Sequence, residues 1–192
     1  MEGFEPVRTR CSWGSKDDLY MDYHDLEWGV PVHDDIKLFE FLTLESFQAG
    51  LSWLTILRKR ENFRQAFDGF DPVKVANYGE KEIAMLMENA GIIRNLQKIK
   101  AAINNAQRFL EIQKEFGSFD NYIWAFTDFK TIVNHWEKNS DIPAKTDLSD
   151  QVSADMKKRG FKFVGSTVIY SHLQATGMVN DHLISCFRHG EV

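Results

Sequence analysis

Two cysteines and two histidines near opposite ends of this 192-residue chain are of the types that bind metal. Cys11 is followed thirteen residues later by His24, and Cys186 is preceded four residues earlier by His182. Positions four apart share one face of a helix, so His182 and Cys186 can point both side chains at one ion. Two thiolates and two imidazoles make a closed tetrahedral zinc site of the structural kind. The other reading of the spacing is two unrelated reduced cysteines beside surface histidines. A disulfide suits a reducing cytoplasm less well. His33, His135, His172 and His189 have no such partners in the sequence and read as ordinary side chains.

Glu45 is the second residue that stands out. It falls inside the apolar stripe Leu38, Phe41, Leu42, Ala49, where an ionised carboxylate needs a partner. Either it is ion-paired in the core or it lines a pocket for a polar or cationic ligand. Trp13, Tyr20, Tyr23, Trp28 and Trp53 crowd the same first 53 residues. Such a group is either plain core or, with carboxylates close by, a cage for a flat cation held by stacking and cation–π attraction. A flipped, alkylated purine is a ligand of that kind.

The elements that must carry these residues read as helical. The stripe from Leu38 to Ala49 is one helix, and Ser52 caps the next, with Trp53, Ile56, Leu57, Phe63 and Phe67 facing inward. Asp71-Pro72 opens a short helix. Two more are expected at 80–89 and 93–116, joined by a turn around Gly91. Further helices are expected at 119–127, 149–158 and 163–176, and a last turn capped by Asn180 contains His182 and Cys186. Asp120 reads as a helix cap, the run Phe161 to Val164 is ambiguous, and 134–147 reads as a flexible surface loop. The fold class is all-α, a helical bundle.

Composition and charge bound the function. At 43% apolar and 27% charged residues the chain reads as an ordinary globular protein. It has no apolar run of membrane-spanning length and no secretory leader pattern at its start, so a cytoplasmic location without membrane association is expected. The net charge is −5, but residues 17–45 hold nine acids against Lys37 alone, net −8, which leaves +3 for the remainder. Basic clusters at Arg58, Lys59, Arg60 and Arg64, at Arg94, Lys98 and Lys100, and at Lys157, Lys158, Arg159 and Lys162 are either solvated helix faces or phosphate-binding surface. The turn around Gly91 fits a helix-hairpin-helix, whose backbone N–H groups meet a DNA phosphate, as well as it fits a simple helix stop.

Five segments together carry a family resemblance. They are Tyr23-His24-Asp25-x-Glu27-Trp28-Gly29-Val30-Pro31, Gln48-Ala49-Gly50-Leu51-Ser52-Trp53, Asn89-Ala90-Gly91-Ile92-Ile93-Arg94, Lys158-Arg159-Gly160-Phe161-Lys162-Phe163-Val164-Gly165 and Gly177-x-Val179-Asn180-Asp181-His182. From about Cys11 to Cys186 the chain resembles the 3-methyladenine-DNA glycosylase I family, in that family's order. The resemblance implies one glycosylase domain over 1–192, with two helical lobes as an alternative division. In it, one structural zinc on Cys11, His24, His182 and Cys186 ties the terminal segments together around a central helix-hairpin-helix region at about 70–116. It places Glu45 on the adenine edge as the catalytic-site carboxylate. Trp53 matches the stacking aromatic, and Trp13, Tyr20, Tyr23, Trp28 and Ser171 match the pocket lining. Gly50 and Leu51 match the loop that enters the duplex, with Leu51 as the wedge, while Gly91 and Arg94 lie in the hairpin that grips the backbone.

The activity implied is hydrolysis of the N-glycosidic bond of 3-methyladenine in alkylated double-stranded DNA, with no obligate protein partner. This family lacks the catalytic aspartate that most helix-hairpin-helix enzymes carry after the hairpin, and no lysine stands in its place, so a monofunctional glycosylase without lyase activity is expected. Two other classes compete on the residues alone. One is a non-catalytic helical module that binds damaged DNA, and the other is a zinc-dependent hydrolase of small molecules.

Overall fold

The computed structural model describes residues 8–15 and 17–192, and the chain is all-α. Nine helices are described: α1 (Asp18–Leu26), α2 (Asp35–Gln48), α3 (Trp53–Ala66), α4 (Pro72–Ala76), α5 (Glu80–Glu88), α6 (Leu96–Phe116), α7 (Phe119–Trp124), α8 (Asp147–Lys158) and α9 (Ser166–Ala175). A two-residue parallel pairing, Ile132–Val133 with Val179–Asn180, is the only strand structure among the described residues. Among the described residues no helix is long and apolar enough to cross a membrane.

The chemistry of the starts explains most helix boundaries. Asp17, Ser52, Asp71, Asn95, Ser118 and Thr146 each turn a side-chain oxygen onto an orphan backbone N–H of the helix that follows. The cap at Asn95 is why α6 begins at Leu96 and not at 93, and the cap at Ser118 corrects the expected role of Asp120. Asp120 lies inside the first turn of α7. Its own N–H and that of Phe119 donate to Asp35 at the start of α2, both at 2.8 Å. Helix α1, which was not expected, is amphipathic about its aromatics, with Tyr23 and His24 on the buried side.

Helix α2 is the axis of the molecule. Every residue from Leu38 to Phe47 is buried, and α3, α6, α7 and α9 pack around it. The large core gathers phenylalanines from α2, α3, α6 and α7 with Trp124. A smaller cluster holds Cys11, Tyr23, Trp28, Phe41, Leu57, Ala175, Leu183 and Cys186. That second cluster brings the two ends of the chain to the flank of α2 that carries Glu45.

The C-terminal expectations need two corrections. Residues 163–165 are not helical, and Phe163 sits at φ 55° in a loop fixed by Asn105, which bonds both N and O of Lys162. His182 and Cys186 do not share a helix. Asn180 Oδ1 accepts from His182 N, and Cys186 N donates to Leu183 O, so two successive turns take the place of the expected helical one.

Candidate functional site: a cavity beside a cysteine–histidine cluster

The four metal-type residues converge. Cys11, His24, His182 and Cys186 are all buried, and their ligand atoms lie within 4.8 Å of one another. Cys186 Sγ is 3.4 Å from His24 Nε2 and 3.5 Å from His182 Nδ1, and Cys11 Sγ is 3.8 Å from His182 Nδ1. Zinc–ligand bonds of about 2.0–2.3 Å set tetrahedral edges of roughly 3.3–3.8 Å, so these three separations fit, while the widest of the set is longer than such an edge. The outer nitrogens are also committed. His24 Nδ1 donates to Asp25 at 2.7 Å, and His182 Nε2 donates to the Trp28 carbonyl at 2.9 Å. Each bond leaves the inner nitrogen's lone pair facing the sulfurs, as second partners of metal-bound histidines do. The hydrogen bond from Cys11 holds the Cys186 thiol down, while the same bond and burial push Cys11 up. The cluster can hold a metal ion.

Trp13 and Trp28, packed against the cluster's histidine rings, form one wall of a cavity of about 400 Å³. Trp13 packs edge-on to His24 at 5.1 Å, Trp28 packs edge-on to His182 at 4.6 Å, and the two tryptophans meet at 4.9 Å. Helix α1 adds Tyr20 and Tyr23 to the wall, α3 adds Trp53, and α9 adds Ser171. Tyr23 and Trp53 lie 5.6 Å apart at 52°. The five aromatic residues singled out in the sequence therefore do come together and all line the cavity, Tyr23 and Trp28 being also buried. Burial pushes the Tyr23 hydroxyl well above its ordinary pKa, so it stays a phenol.

Glu45 closes the far end of the cavity. It is 2% exposed; Oε2 lies 3.0 Å from His172 Nδ1, while Oε1 is buried without a hydrogen-bond partner. Burial raises its pKa, against the opposing pull of His172 and Arg60. Trp53 Nε1 and Asn139 Oδ1, also on the lining, are buried and unpartnered too. Native folds rarely leave such atoms orphaned, so three around one cavity mark it as built for a polar ligand.

A second opening, lined by Gly50, Leu51, Thr167 and Val168, shares Glu45, Gln48 and Ser171 with the cavity. Gly50 has φ +82°, the left-handed region that suits glycine, and the bend leaves Leu51 40% exposed at the rim. Lys98 fixes the end of α2 just before this bend, donating to the carbonyls of Phe47 at 2.8 Å and Ala49 at 2.7 Å. Lys98 is therefore an internal clamp and not surface charge.

The turn between α5 and α6 is tight at Gly91. Asn89 Oδ1 accepts from Gly91 N at 2.8 Å, and a Cβ on Gly91 would meet Asn62 Cγ at 3.0 Å. Arg94 is exposed beside it. The basic group at 58–64 is corrected. Arg58 pairs with Asp17, Arg60 is buried between Glu27 and Glu40, Arg64 pairs with Glu40, and Lys59 donates to Ala90 O. This run answers the acids of residues 17–45 within the protein itself. Burial works against the Arg60 charge, and the two carboxylates more than offset it.

Reading the sequence missed several cavity residues. His172 was set aside as ordinary, yet it is the direct partner of Glu45, and 127 positions of separation leave no local signal. Asn139 and Ile142 lie in the expected flexible loop and instead form part of the cavity wall. Gln174 also faces the cavity. Asp120 pairs with His33 at 2.8 Å and is not part of the lining.

Comparison with known proteins agrees with this geometry. A profile described as methyladenine glycosylase matches residues 13–189. DNA-3-methyladenine glycosylase 1 of Escherichia coli is 50% identical over 177 residues, covering 92% of this chain and 95% of that protein. A crystal structure of 3-methyladenine DNA glycosylase I superposes with a TM-score of 0.90 at 47% identity, covering 93% of this chain and 98% of that one. A tyrosine-to-phenylalanine variant of a 3-methyladenine DNA glycosylase I, solved in complex with 3-methyladenine, also superposes at 0.90, with 40% identity and coverage of 93% and 96%. On this evidence the chain belongs to the methyladenine glycosylase family.

Proposed function

We propose that the protein is a monofunctional DNA-3-methyladenine glycosylase that flips the damaged base from alkylated double-stranded DNA into the Glu45 cavity. The observation that carries this reading is the buried, unpartnered Oε1 of Glu45 facing an aromatic-lined space. A purine methylated at N3 is a flat cation while it is attached to the sugar. Its positive charge meets the carboxylate, its exocyclic amine can donate to Oε1, and its faces meet the rings of Trp53 and its neighbours. Neutral adenine offers no charge to the carboxylate and is the poorer leaving group.

In the reaction the bond between C1′ and the base nitrogen breaks, and its electron pair leaves with the base, which becomes neutral. A water oxygen bonds to C1′ and releases its proton to solvent, giving an abasic sugar. No lysine lines the cavity among the described residues, and Lys98 is committed to backbone carbonyls, so the chain offers no amine there for a Schiff base. In the same reading Leu51 wedges into the base stack, and Gly50 lets its loop bend. The helix-hairpin-helix turn at Gly91, with Arg94, holds a phosphate, and Trp13, Tyr20, Tyr23, Trp28 and Ser171 shape the pocket.

Cys11, His24, His182 and Cys186 would hold one zinc ion, which with four protein ligands supplies a structural clasp and no open position for water. The clasp would hold Trp13 and Trp28 against the cavity. We read 1–192 as one glycosylase domain and, from its reduced cysteines, place it in the cytoplasm. Incubation with methylated DNA and chromatography of the released bases tests the activity: free 3-methyladenine is expected, with an intact backbone at the abasic site. Damage-dependent binding without release would leave only the DNA-binding module, and a borohydride-trapped adduct would refute the monofunctional chemistry.

A further inference from the structure

We propose that His172 is a positioning residue for the glycosylase reaction: its Nδ1–H, 3.0 Å from Oε2, fixes the Glu45 carboxylate so that Oε1 alone is turned to the flipped base. This rests on the reading of Glu45 as the carboxylate that meets the base. His172 is itself fully buried on α9, and its carbonyl accepts from both N and Oγ1 of Thr176, so ring and backbone are held together. Its Nε2 is buried with no partner. A second N–H there would find no acceptor, so the surroundings accommodate the neutral ring with its hydrogen on Nδ1. A neutral donor has a particular use here, because it orients the carboxylate without cancelling the negative charge that attracts a cation. A lysine or arginine at 172 would supply a hydrogen bond and remove the attraction.

The other ionisable groups facing Glu45 do not duplicate this role. Tyr23 from α1 remains a buried phenol, and Arg60 from α3 is held by Glu27 and Glu40. His172 is the group that bonds the carboxylate directly, and that hydrogen bond opposes the upward push of burial on Glu45. The ionised carboxylate is the competent form, so excision is lost as pH falls through the raised pKa of Glu45. Without the His172 bond that pKa rises further, and the loss begins at higher pH.

The test is the pH profile of kcat/KM for base release from methylated duplex DNA, in which the lesion carries its charge at every pH. A hydrogen bond to a charged group corresponds to about one pH unit or more. His172→Phe should therefore move the acid limb up by about one unit and lower kcat/KM roughly tenfold at neutral pH. His172→Asn, which keeps a neutral donor, should recover most of both. Coincident acid limbs in all three proteins overturn the proposal. A ring-nitrogen NMR spectrum of the unmodified protein gives a test that needs no folded variant: the Nδ1–H tautomer is expected, and an Nε2–H tautomer overturns the proposal. Glu45→Gln separates the two readings. Excision at wild-type level in that variant removes the role of Glu45 itself, whereas a clear loss there with no effect at His172 removes only the present inference.

Discussion

The cysteine–histidine cluster and the base cavity share Trp13 and Trp28 as a common wall, yet they are built by opposite rules. In the cluster both outer ring nitrogens have acceptors, Asp25 for His24 and the Trp28 carbonyl for His182. In the cavity Glu45 Oε1, Trp53 Nε1 and Asn139 Oδ1 are buried with nothing to bond. An orphaned buried polar atom costs about 1–3 kcal/mol. The difference separates two roles: the cluster is finished as structure, while the cavity holds back stability that only a ligand can return. Damage to the first should therefore appear as unfolding and damage to the second as lost recognition.

The largest effect that would break this contrast lies at the cluster. Structural zinc sites contribute on the order of 10 kcal/mol of apparent binding energy. Cys186→Ala is expected to lose metal and most of the folded population, and chelation of the unmodified protein should lower its melting temperature sharply. Elemental analysis should give one zinc per chain. A metal-free preparation with an unchanged melt would show that the four side chains are merely packed together.

The next effect sharpens the cavity side. Glu45→Gln keeps shape and removes charge, exchanging a charge-assisted bond for a neutral one, a difference of about 1–2 kcal/mol or roughly 5- to 30-fold. Excision should fall by that factor with zinc content intact. Because the carboxylate is buried with a free oxygen, the variant should melt no lower than the parent. A destabilised variant that still excises normally would return Glu45 to the core.

The smallest effect is at the rim. Leu51→Ala should weaken excision from duplex DNA several-fold and from single strands less, since unstacking costs a few kcal/mol and is largely absent there. Equal losses on both substrates would make Leu51 a packing residue. Rates on paired duplex and single-stranded methylated oligonucleotides measure this directly.

The sequence made the helices legible wherever caps and periodicity agreed, as at Ser52, Asp71 and the stripe from Leu38. Glu45 was legible because it violated its own stripe. The partner His172 was not, because a contact across 127 residues is made by the packing of α9 on α2 and leaves no trace in spacing. The expected helix around His182 failed for a local reason: the Asn180 side chain bonds His182 N and starts a turn of its own. Cys186 still reaches the cluster, so the convergence of the four side chains was legible although the local geometry expected for two of them was wrong. The arginines at 58–64 misled because charge runs do not reveal their partners, and here those partners lie in the acidic segment at 17–45.

That internal pairing has a consequence for how the protein meets DNA. Arg94, Lys100, Lys157, Lys158 and Lys162 are exposed and form no ion pair among the described residues, whereas Arg58, Arg60 and Arg64 have theirs within the fold. Each neutralised phosphate releases counterions and steepens the fall of affinity with salt by about 0.9 in logarithmic slope. At a net charge of −5 the chain as a whole repels the duplex, so a weak hold on undamaged DNA is expected, and affinity measured against salt concentration checks it. On that expectation encounters with undamaged duplex are brief, and a long dwell on DNA requires a base in the cavity.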